Sequence, residues 1–267
     1  MTLAQSLILL YETMCIISHH STSYHETTMI QQAKRFIPKG FLRSLRSVKL
    51  WHLKSKTAED VFTDIYLQGK WGKGSDSPFF SGTGSIEETY LPYIQFMQDF
   101  IRKHHINSIV DLGCGDFRVG RHLAQQPGIN YTGCDIVRPL IEYNQEKFGN
   151  ERINFLQRNM ITDELPDGEL CIIRQVFQHL SNESILKVLP KLKKYQYVVI
   201  ADAQPTQDTK KANHDIPNFS GTRDVVHGTG LWLESSPFNL PITVLHSYPL
   251  QTADDEYLRI ILYKPQD

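Results

Sequence analysis

The sequence predicts an α/β fold, with seven strands in a mostly parallel sheet, helices on both faces, a terminal antiparallel strand and an N-terminal helical extension. Strand-like and helix-like segments alternate along most of the chain, which is typical of parallel strands joined by crossover helices. The last two strand-like runs, 241–248 and 256–263, have only a short polar connection between them. Parallel neighbours need a crossover of about a dozen residues, so these two runs are expected to form an antiparallel hairpin.

An N-terminal extension precedes the alternating segments. One apolar stripe recurs at helical spacing and predicts a packing face: Leu3, Leu7, Leu10, Met14 and Ile17. Residues 34–56 then carry eight Lys or Arg and no acid, which leaves 20 basic against 29 acidic residues elsewhere. This basic segment is expected to be a partly solvated helix packed on the domain. The alternatives are contact with an anionic membrane surface, a nucleic acid or a phosphorylated acceptor.

The alternating region begins at Ser85. Ser85 and Glu88 have capping-box spacing, and an apolar stripe then predicts a helix to about His105. Strand-like runs follow at 108–114, 129–136, 153–159, 169–175 and 195–203, and helical segments lie at 118–126, 138–148 and 182–194. We therefore predict two parts, an extension with a lid at 1–84 and the sheet-bearing domain at 85–267.

Two segments rich in glycine, proline and small polar residues are candidate lids. Residues 69–85 precede the first core helix, and residues 204–239 show little helical periodicity. Loops of this length in compact domains are often binding segments. The alternative for each is a mobile surface loop.

The turn at residues 108–116 is the first candidate binding feature. An apolar run ends at Asp111 and is followed by Gly113 and Gly115, which would let the backbone approach a ligand closely, with backbone N–H groups facing it. A dinucleotide fingerprint needs a third glycine three residues after the second, and Arg118 stands there. An inward-facing Asp111 would suit a cationic amino group, which a pyrophosphate does not offer.

A second carboxylate follows the next strand-like run. Asp135 lies 22 residues after Gly113, where an acid can bind both ribose hydroxyls. Taken together, Asp111-Leu-Gly-Cys-Gly115, Tyr131-Thr-Gly-Cys-Asp135 and Asn159-Met160 resemble the class I S-adenosylmethionine-dependent methyltransferase family. Matching elements run from about residue 85 to 265. The resemblance implies a Rossmann-like sheet, S-adenosyl-L-methionine as cofactor, and methyl transfer by in-line displacement.

The resemblance also implies roles for the residues at the ends of the strands. Gly113 and Gly115 would contact the cofactor through their backbone. Asp135, followed by Ile136, would bind the ribose, although Asp135 is also a possible helix N-cap. Asn159 and Met160 would lie beside the adenine. Arg174 and Gln175, which end the fourth strand, are candidates for the methionine moiety or the acceptor; Arg174 is alternatively an ion-pair partner of Asp111 or Asp116.

A general base is harder to assign. His179 follows the fourth strand and is the candidate base, with a structural histidine as the alternative. Further candidates are Asp202, His214, Asp215, Arg223 and His227. No metal site is predicted, because the four cysteines show no C-x-x-C or other metal spacing.

The sequence therefore predicts a cytoplasmic methyltransferase acting on a small-molecule or glycan-type acceptor. Cysteines in buried strands favour a reducing compartment, and no apolar run reaches transmembrane length. The alternatives are a non-catalytic S-adenosylmethionine-binding protein, a nucleic-acid methyltransferase that uses residues 34–56, and an NAD-dependent oxidoreductase. The acceptor, the accepting atom and the oligomeric state are not predicted.

Overall fold

The computed structural model describes residues 50–74, 77–208, 211–253 and 255–265. The apolar stripe from Leu3 to Ile17 and residues 34–49 of the basic segment lie outside this part. All described residues except Leu50 and Trp51 belong to one compact unit, His52–Asp267. The division into parts at residue 84 stays a prediction.

One seven-stranded sheet forms the centre of this unit, in the order β3-β2-β1-β4-β5-β7-β6. The first five strands pair in parallel, and β7 pairs antiparallel with both β5 and β6. The predicted mostly parallel sheet with a closing antiparallel hairpin is therefore confirmed. The strands are β1 Ser108–Leu112, β2 Asn130–Asp135, β3 Ile153–Gln157, β4 Leu170–Arg174, β5 Tyr197–Pro205, β6 Ile242–Pro249 and β7 Glu256–Tyr263.

Helices connect the parallel strands and precede the sheet. The α-helices are α1 Ala58–Leu67, α2 Glu87–Lys103, α3 Gly120–Ala124, α4 Arg138–Phe148, α5 Asn182–Val188 and α6 Arg223–His227. Short 3-10 helices lie at Trp51–Ser55, Thr83–Ser85, Phe177–His179 and Leu189–Lys194. Within the described residues, no helix has both the length and the apolar character needed to cross a bilayer.

Two apolar cores cover the two faces of the sheet. Successive strand residues point to opposite faces, so Val199 and Ala201 join one core while Val198 and Ile200 join the other. The first core holds the apolar face of α2, and the second holds α5 and part of the segment between β5 and β6. This arrangement explains the nearly continuous apolar sequence of β5, which is buried on both sides.

Three local predictions need correction. Ser85 does not cap α2: its hydroxyl donates to the Gly82 carbonyl, and Ile86 occupies the N-cap position. The helix predicted over 182–194 is α-helical only to Val188, since Pro190 lacks the N–H group that would continue it. The segment after β5 contains α6, which ends at Gly228 with a φ of 72°.

The strand order changes direction between β1 and β4. The chain moves outward from β1 through β2 to β3, and then returns to place β4 on the other side of β1. In open α/β sheets, ligands bind outside the carboxyl ends of the strands at such a switch point. The residues that follow Leu112 and Arg174 therefore mark the expected site.

Candidate functional site

The turn after β1 uses its backbone N–H groups internally. The Gly113 and Cys114 N–H groups donate to the Cys134 carbonyl at 2.7 and 3.0 Å. The Gly115 N–H donates to the Asp135 carboxylate at 3.1 Å, and the Asp116 N–H donates to Ser81 Oγ at 2.8 Å. The expectation that these N–H groups face the ligand is therefore wrong for this turn, which is not built to hold a phosphate.

Glycine is required at the start of this turn for two reasons. Gly113 has a φ of 81°, and a Cβ built there would lie 2.4 Å from Val176 Cγ2. Gly115 has a φ of 56°, and its Cβ would lie 2.4 Å from Ser81 Oγ. Side chains at either position would fill space that the neighbouring elements already occupy.

Asp111 and Asp135 place two carboxylates beside this turn. The Tyr131 hydroxyl donates to Asp111 Oδ2 at 2.6 Å, and the Val137 N–H donates to Asp135 Oδ1 at 3.1 Å. Burial raises the pKa of each carboxyl to about 6, although these hydrogen bonds oppose the rise. Both are 8% exposed and both line the same cavity, and each carboxylate keeps lone pairs that could accept further hydrogen bonds.

The end of β3 supplies the next wall of the cavity. Asn159 Oδ1 accepts from the Ile161 N–H at 3.0 Å, so its side-chain NH₂ group is the part left to donate to a ligand. The Met160 side chain packs against the second core, and its backbone carbonyl accepts from Lys191. Ile136, at the start of the β2–α4 connection, also lines the cavity.

The end of β4 brings a cation and an amide to the opposite wall. Arg174 Nη2 donates to the Gly84 carbonyl at 2.8 Å, and the guanidinium lies 5.0 Å from the centre of the Tyr93 ring. Gln175 has a φ of 53°, and its N–H donates to the Ala201 carbonyl at 2.7 Å. Arg174 forms no ion pair with Asp111 or Asp116.

His179 joins three segments around the cavity. A carbonyl can only accept, so His179 Nδ1 carries the proton and donates to Gly221 at 2.8 Å. Its Nε2 accepts from the Gln178 side-chain amide at 3.2 Å, and the ring lies 5.3 Å from that of Trp71. Burial lowers the pKa of His179 to about 4. This engagement of both ring nitrogens favours the structural alternative over the general base.

The other candidate bases do not line this cavity. Asp202 is buried beneath it and accepts from the Gln178 N–H at 3.3 Å, and burial raises its pKa to about 7. Arg223 is 1% exposed and donates to the Phe177 and Leu180 carbonyls. The rings of His214 and His227 contact each other at 5.2 Å, and Asp215 accepts from the Asn182 N–H, all away from the site.

The two predicted lids meet over the cavity. Trp71 Nε1, in the segment 69–85, donates to the Ser220 carbonyl in the segment after β5 at 2.9 Å. The Ser81 N–H donates to the Asp116 carboxylate at 3.2 Å, which fastens the first lid to the turn after β1. Both segments therefore have fixed contacts at the site.

Sequence reasoning missed several lining residues. Phe62 and Tyr66 come from α1, Tyr93 from α2, and Thr252 and Glu256 from the β6–β7 hairpin. Nothing local in the sequence marks them, because long-range packing brings these elements to the carboxyl edge of the sheet. Burial raises the pKa of Glu256, and nearby Asp224 and Asp255 raise it further.

All of these walls enclose one cavity of about 380 Å³. Its volume lies within the range of ~300–1,000 Å³ that is usual for small-molecule and cofactor sites. The following predicted site residues line it: Asp111, Gly113, Gly115, Asp135, Ile136, Asn159, Met160, Arg174, Gln175 and His179. Their individual roles stay predictions.

Comparison with a solved N-methyltransferase structure shows the same fold. The N-methyltransferase NodS from Bradyrhizobium japonicum WM9, in complex with S-adenosylhomocysteine, has a TM-score of 0.52 at 13% identity, covering 76% of this chain and 100% of its own. Human N-acetylserotonin methyltransferase has a TM-score of 0.44 at 15% identity, covering 79% and 61%. The N-terminal domain of EvdMO1 has a TM-score of 0.47 at 13% identity, covering 68% and 85%. A search of curated protein sequences gave no match.

The fold is that of the class I S-adenosylmethionine-dependent methyltransferases. Residues 109–195 match the methyltransferase domain family, which covers β1 through the segment before β5. This match and the shared fold support methyltransferase activity with S-adenosylmethionine as the cofactor.

The residues present fit this cofactor. S-adenosylmethionine contains no phosphate, and the turn after β1 keeps its N–H groups for internal bonds. The cofactor does carry an amino group and a ribose diol, both donors, and Asp111 and Asp135 offer carboxylate acceptors on the cavity wall. A Cβ on Gly113 or Gly115 would crowd the same turn.

Proposed function

We propose that the enzyme transfers the methyl group to a small-molecule or glycan-type acceptor, which binds at the β5–β7 end of the cavity. The observation that carries this proposal is that the cavity continues beyond the cofactor residues on β1–β4. Its further walls are Ala203 in β5, Thr222 and Val225 from the second lid, and Thr252 and Glu256 from the hairpin. β7 lies three strands from β1, which is about 14 Å at the usual strand spacing.

The chemistry of these walls favours an acceptor with polar groups beside an apolar face. Thr222 and Thr252 offer hydroxyls, Glu256 offers a carboxyl group, and Trp71 and Val225 offer apolar surface. Small-molecule sites commonly combine apolar walls with a few polar groups that set orientation. The lid contact between Trp71 and Ser220 would exclude bulk water and large polymers from the reacting centre.

The chain's own contribution to the reaction is mainly positioning. When bound, the cofactor supplies a methyl group made electrophilic by a sulfonium. Asp111, Asp135 and Asn159 would hold the donor, while the hairpin and second lid would hold the acceptor in line with it. Of the acidic side chains at the acceptor end, Glu256 lines the cavity, and its raised pKa suits it to accept a proton from the acceptor.

A labelled-methyl assay tests this proposal. The protein would be incubated with S-adenosylmethionine carrying a tritiated methyl group and with panels of amines, phenols, hydroxylated metabolites, oligosaccharides, RNA and DNA. We expect transfer to a member of the small-molecule or oligosaccharide panels. Label found only in nucleic acid would instead support the use of residues 34–56, and binding of cofactor without any transfer would support a non-catalytic protein.

A further inference from the structure

The turn after β3 has a fixed internal shape. The Asn159 carbonyl accepts from the Thr162 and Asp163 N–H groups at 3.1 and 2.8 Å. Asn159 Oδ1 accepts from the Ile161 N–H at 3.0 Å, and the Asp163 carboxylate accepts from the Asn159 N–H at 2.9 Å. Asn159, Met160 and Ile161 line the cavity. These bonds lie within residues 159–163, so they leave the direction of the turn relative to the sheet to other contacts.

Lys191 supplies a contact from outside the turn. It is half-buried in the 3-10 helix Leu189–Lys194, which precedes β5. Its Nζ donates to three carbonyls of the turn, at 3.2 Å for Met160, 2.9 Å for Ile161 and 2.9 Å for Asp163. An ammonium group has three donors, so each N–H finds one carbonyl. Within the described part of the chain, Lys191 forms no ion pair and does not line the cavity.

Three carbonyls that meet at one cation give the turn a direction. Hydrogen bonds from a charged donor are stronger than those between neutral groups. The lysine side chain gives up conformational freedom to make them, which an exposed lysine would keep. The contacts reach Met160 and Ile161 through their carbonyls, and both residues line the cavity. The ammonium group therefore fixes the backbone of this wall without itself facing the ligand.

Lys194 provides a contrast within the same 3-10 helix. Its Nζ donates to the Leu165 carbonyl at 2.8 Å and forms an ion pair with Asp167. Neither Leu165 nor Asp167 lines the cavity. Lys194 thus makes a similar contact to the segment that follows the turn, and its removal is a matched control.

We propose that Lys191 is a positioning residue for the cofactor: its ammonium group holds residues 159–163 so that Asn159 and Met160 face the adenine. The inference rests on the assignment of Asn159 and Met160 to the adenine and is independent of the acceptor. Lys191 touches no ligand atom and acts through the turn. Because the orientation of Asn159 depends on Lys191, the contributions of these two residues to cofactor affinity are not additive.

A double-mutant cycle tests this dependence. Titration calorimetry would measure S-adenosylhomocysteine against the wild type, Lys191→Met, Asn159→Asp, the double variant and the control Lys194→Met. Lys191→Met keeps most of the apolar stem and removes the donors. Asn159→Asp keeps the acceptor for the Ile161 N–H and removes the NH₂ donor.

The expected pattern is a loss that occurs only once. Lys191→Met and Asn159→Asp should each weaken the binding of S-adenosylhomocysteine about tenfold. The double variant should stay well below the roughly hundredfold loss that two independent effects would give. Lys194→Met should bind within about twofold of the wild type.

Hydrogen exchange gives a second readout, in the protein without ligand. The amides of Ile161, Thr162 and Asp163 are bonded within the turn, and their exchange should become faster in Lys191→Met and stay unchanged in Lys194→Met. Thermal unfolding would show whether each variant is folded. If Lys191→Met does not fold, Lys191→Gln, which keeps N–H donors without the charge, takes its place in both measurements.

Other outcomes would overturn the proposal. Unchanged affinity in Lys191→Met would mean that the turn keeps its direction without the ammonium group, and an equal loss in Lys194→Met would mean that any contact from this helix has the same effect. Additive losses in the double variant would mean that Lys191 acts independently of Asn159. Unchanged affinity in Asn159→Asp would contradict the adenine assignment on which the inference rests. A wild type that bound no S-adenosylhomocysteine would contradict the cofactor assignment itself.

Discussion

The Asp135 carboxylate holds two turns together and also lines the cavity. It holds the Gly115 N–H of one turn and the Val137 N–H of the next, and so fixes the carboxyl end of β2 against that of β1. Burial raises its pKa to about 6, so the carboxyl group is only partly ionised in mildly acidic solution. The same holds for Asp111. The ionised form of Asp135 is the one that would accept hydrogen bonds from a ribose diol.

Cofactor affinity should therefore rise with pH. A ligand that binds the ionised carboxylates gains affinity as the pH rises through about 6, and from pH 5 to 7.5 one such group gives about a tenfold change. Asp135→Asn should weaken the binding of S-adenosylhomocysteine at pH 7.5 and make its affinity less dependent on pH. Calorimetry at both pH values measures it, with Asp99→Asn on exposed α2 surface as control. A wild-type pH dependence in Asp135→Asn would contradict the assignment.

The stability of the cofactor-free protein should change in the opposite sense. Because the folded pKa of Asp135 lies above the value of about 3.9 in unfolded chains, its contribution is fully present below that pH and is lost as pH rises through about 6. Asp135→Asn should therefore show a smaller fall in unfolding free energy between pH 5 and 7 than the wild type. Denaturant titrations at the two pH values compare them.

Glu256 is the acidic side chain that lines the proposed acceptor end of the cavity. Glu256→Gln should raise the acceptor KM or lower kcat by about tenfold or more, because the neutral amide accepts no proton and binds cations weakly. Binding of S-adenosylhomocysteine should stay within about twofold of wild type. Steady-state kinetics measures the effect on the acceptor, and calorimetry measures the effect on cofactor binding. Weaker cofactor binding with unchanged acceptor kinetics would place Glu256 at the cofactor end and contradict this prediction.

At the scale of single elements, the turn after β1 is defined by crowding as much as by conformation. Its N–H groups are tied to Cys134, Asp135 and Ser81, so it holds β2 and the first lid in place. The lids in turn are joined through Trp71 and Ser220. A disturbance at the turn should therefore reach both walls of the cavity.

Gly113→Ala and Gly128→Ala separate conformation from crowding. Both glycines have a φ near +80°. A Cβ at Gly113 would lie 2.4 Å from Val176, whereas a Cβ at Gly128 would have no neighbouring atom within 4 Å. Each substitution should cost about 1 kcal/mol from its backbone, and Gly113→Ala about 1–3 kcal/mol more from overpacking. Of the two variants, only Gly113→Ala should weaken the binding of S-adenosylhomocysteine. Equal unfolding free energies for the two variants, measured in urea, would rule out the crowding.

At the scale of the whole molecule, the described lining residues all fall between Ala58 and Glu256. A variant lacking residues 1–49 should therefore bind S-adenosylhomocysteine within about twofold of the full chain. If the full chain binds RNA or DNA, that affinity should fall steeply with salt and be lost in the shortened variant. Filter binding at two salt concentrations measures this, and loss of cofactor binding on shortening would show that the extension contributes to the site.

The sequence predicts those parts of the site that lie in short contiguous motifs. Gly113 and Asn159 follow strands and Asp135 ends one, and parallel strands bring their carboxyl ends to one edge. Tyr93 and Glu256 could not be found in this way, because they reach the cavity through packing of α2 and the pairing of β7 with β5. The capping-box rule failed at Ser85 because its hydroxyl donates to the Gly82 carbonyl three residues earlier, and Ile86 takes the N-cap position.

The position of β7 determines the order in which the last strands can pair during synthesis. β7 is made after β6 yet lies between β5 and β6, and β7 is the strand through which β6 joins the sheet. During synthesis on a ribosome, residues 242–249 therefore have no β7 partner until Tyr257 has emerged, and the pairing is complete only with Tyr263. The cavity wall that carries Glu256 is completed in the same event, so a nascent chain has the walls from β1–β4 before it has the hairpin wall.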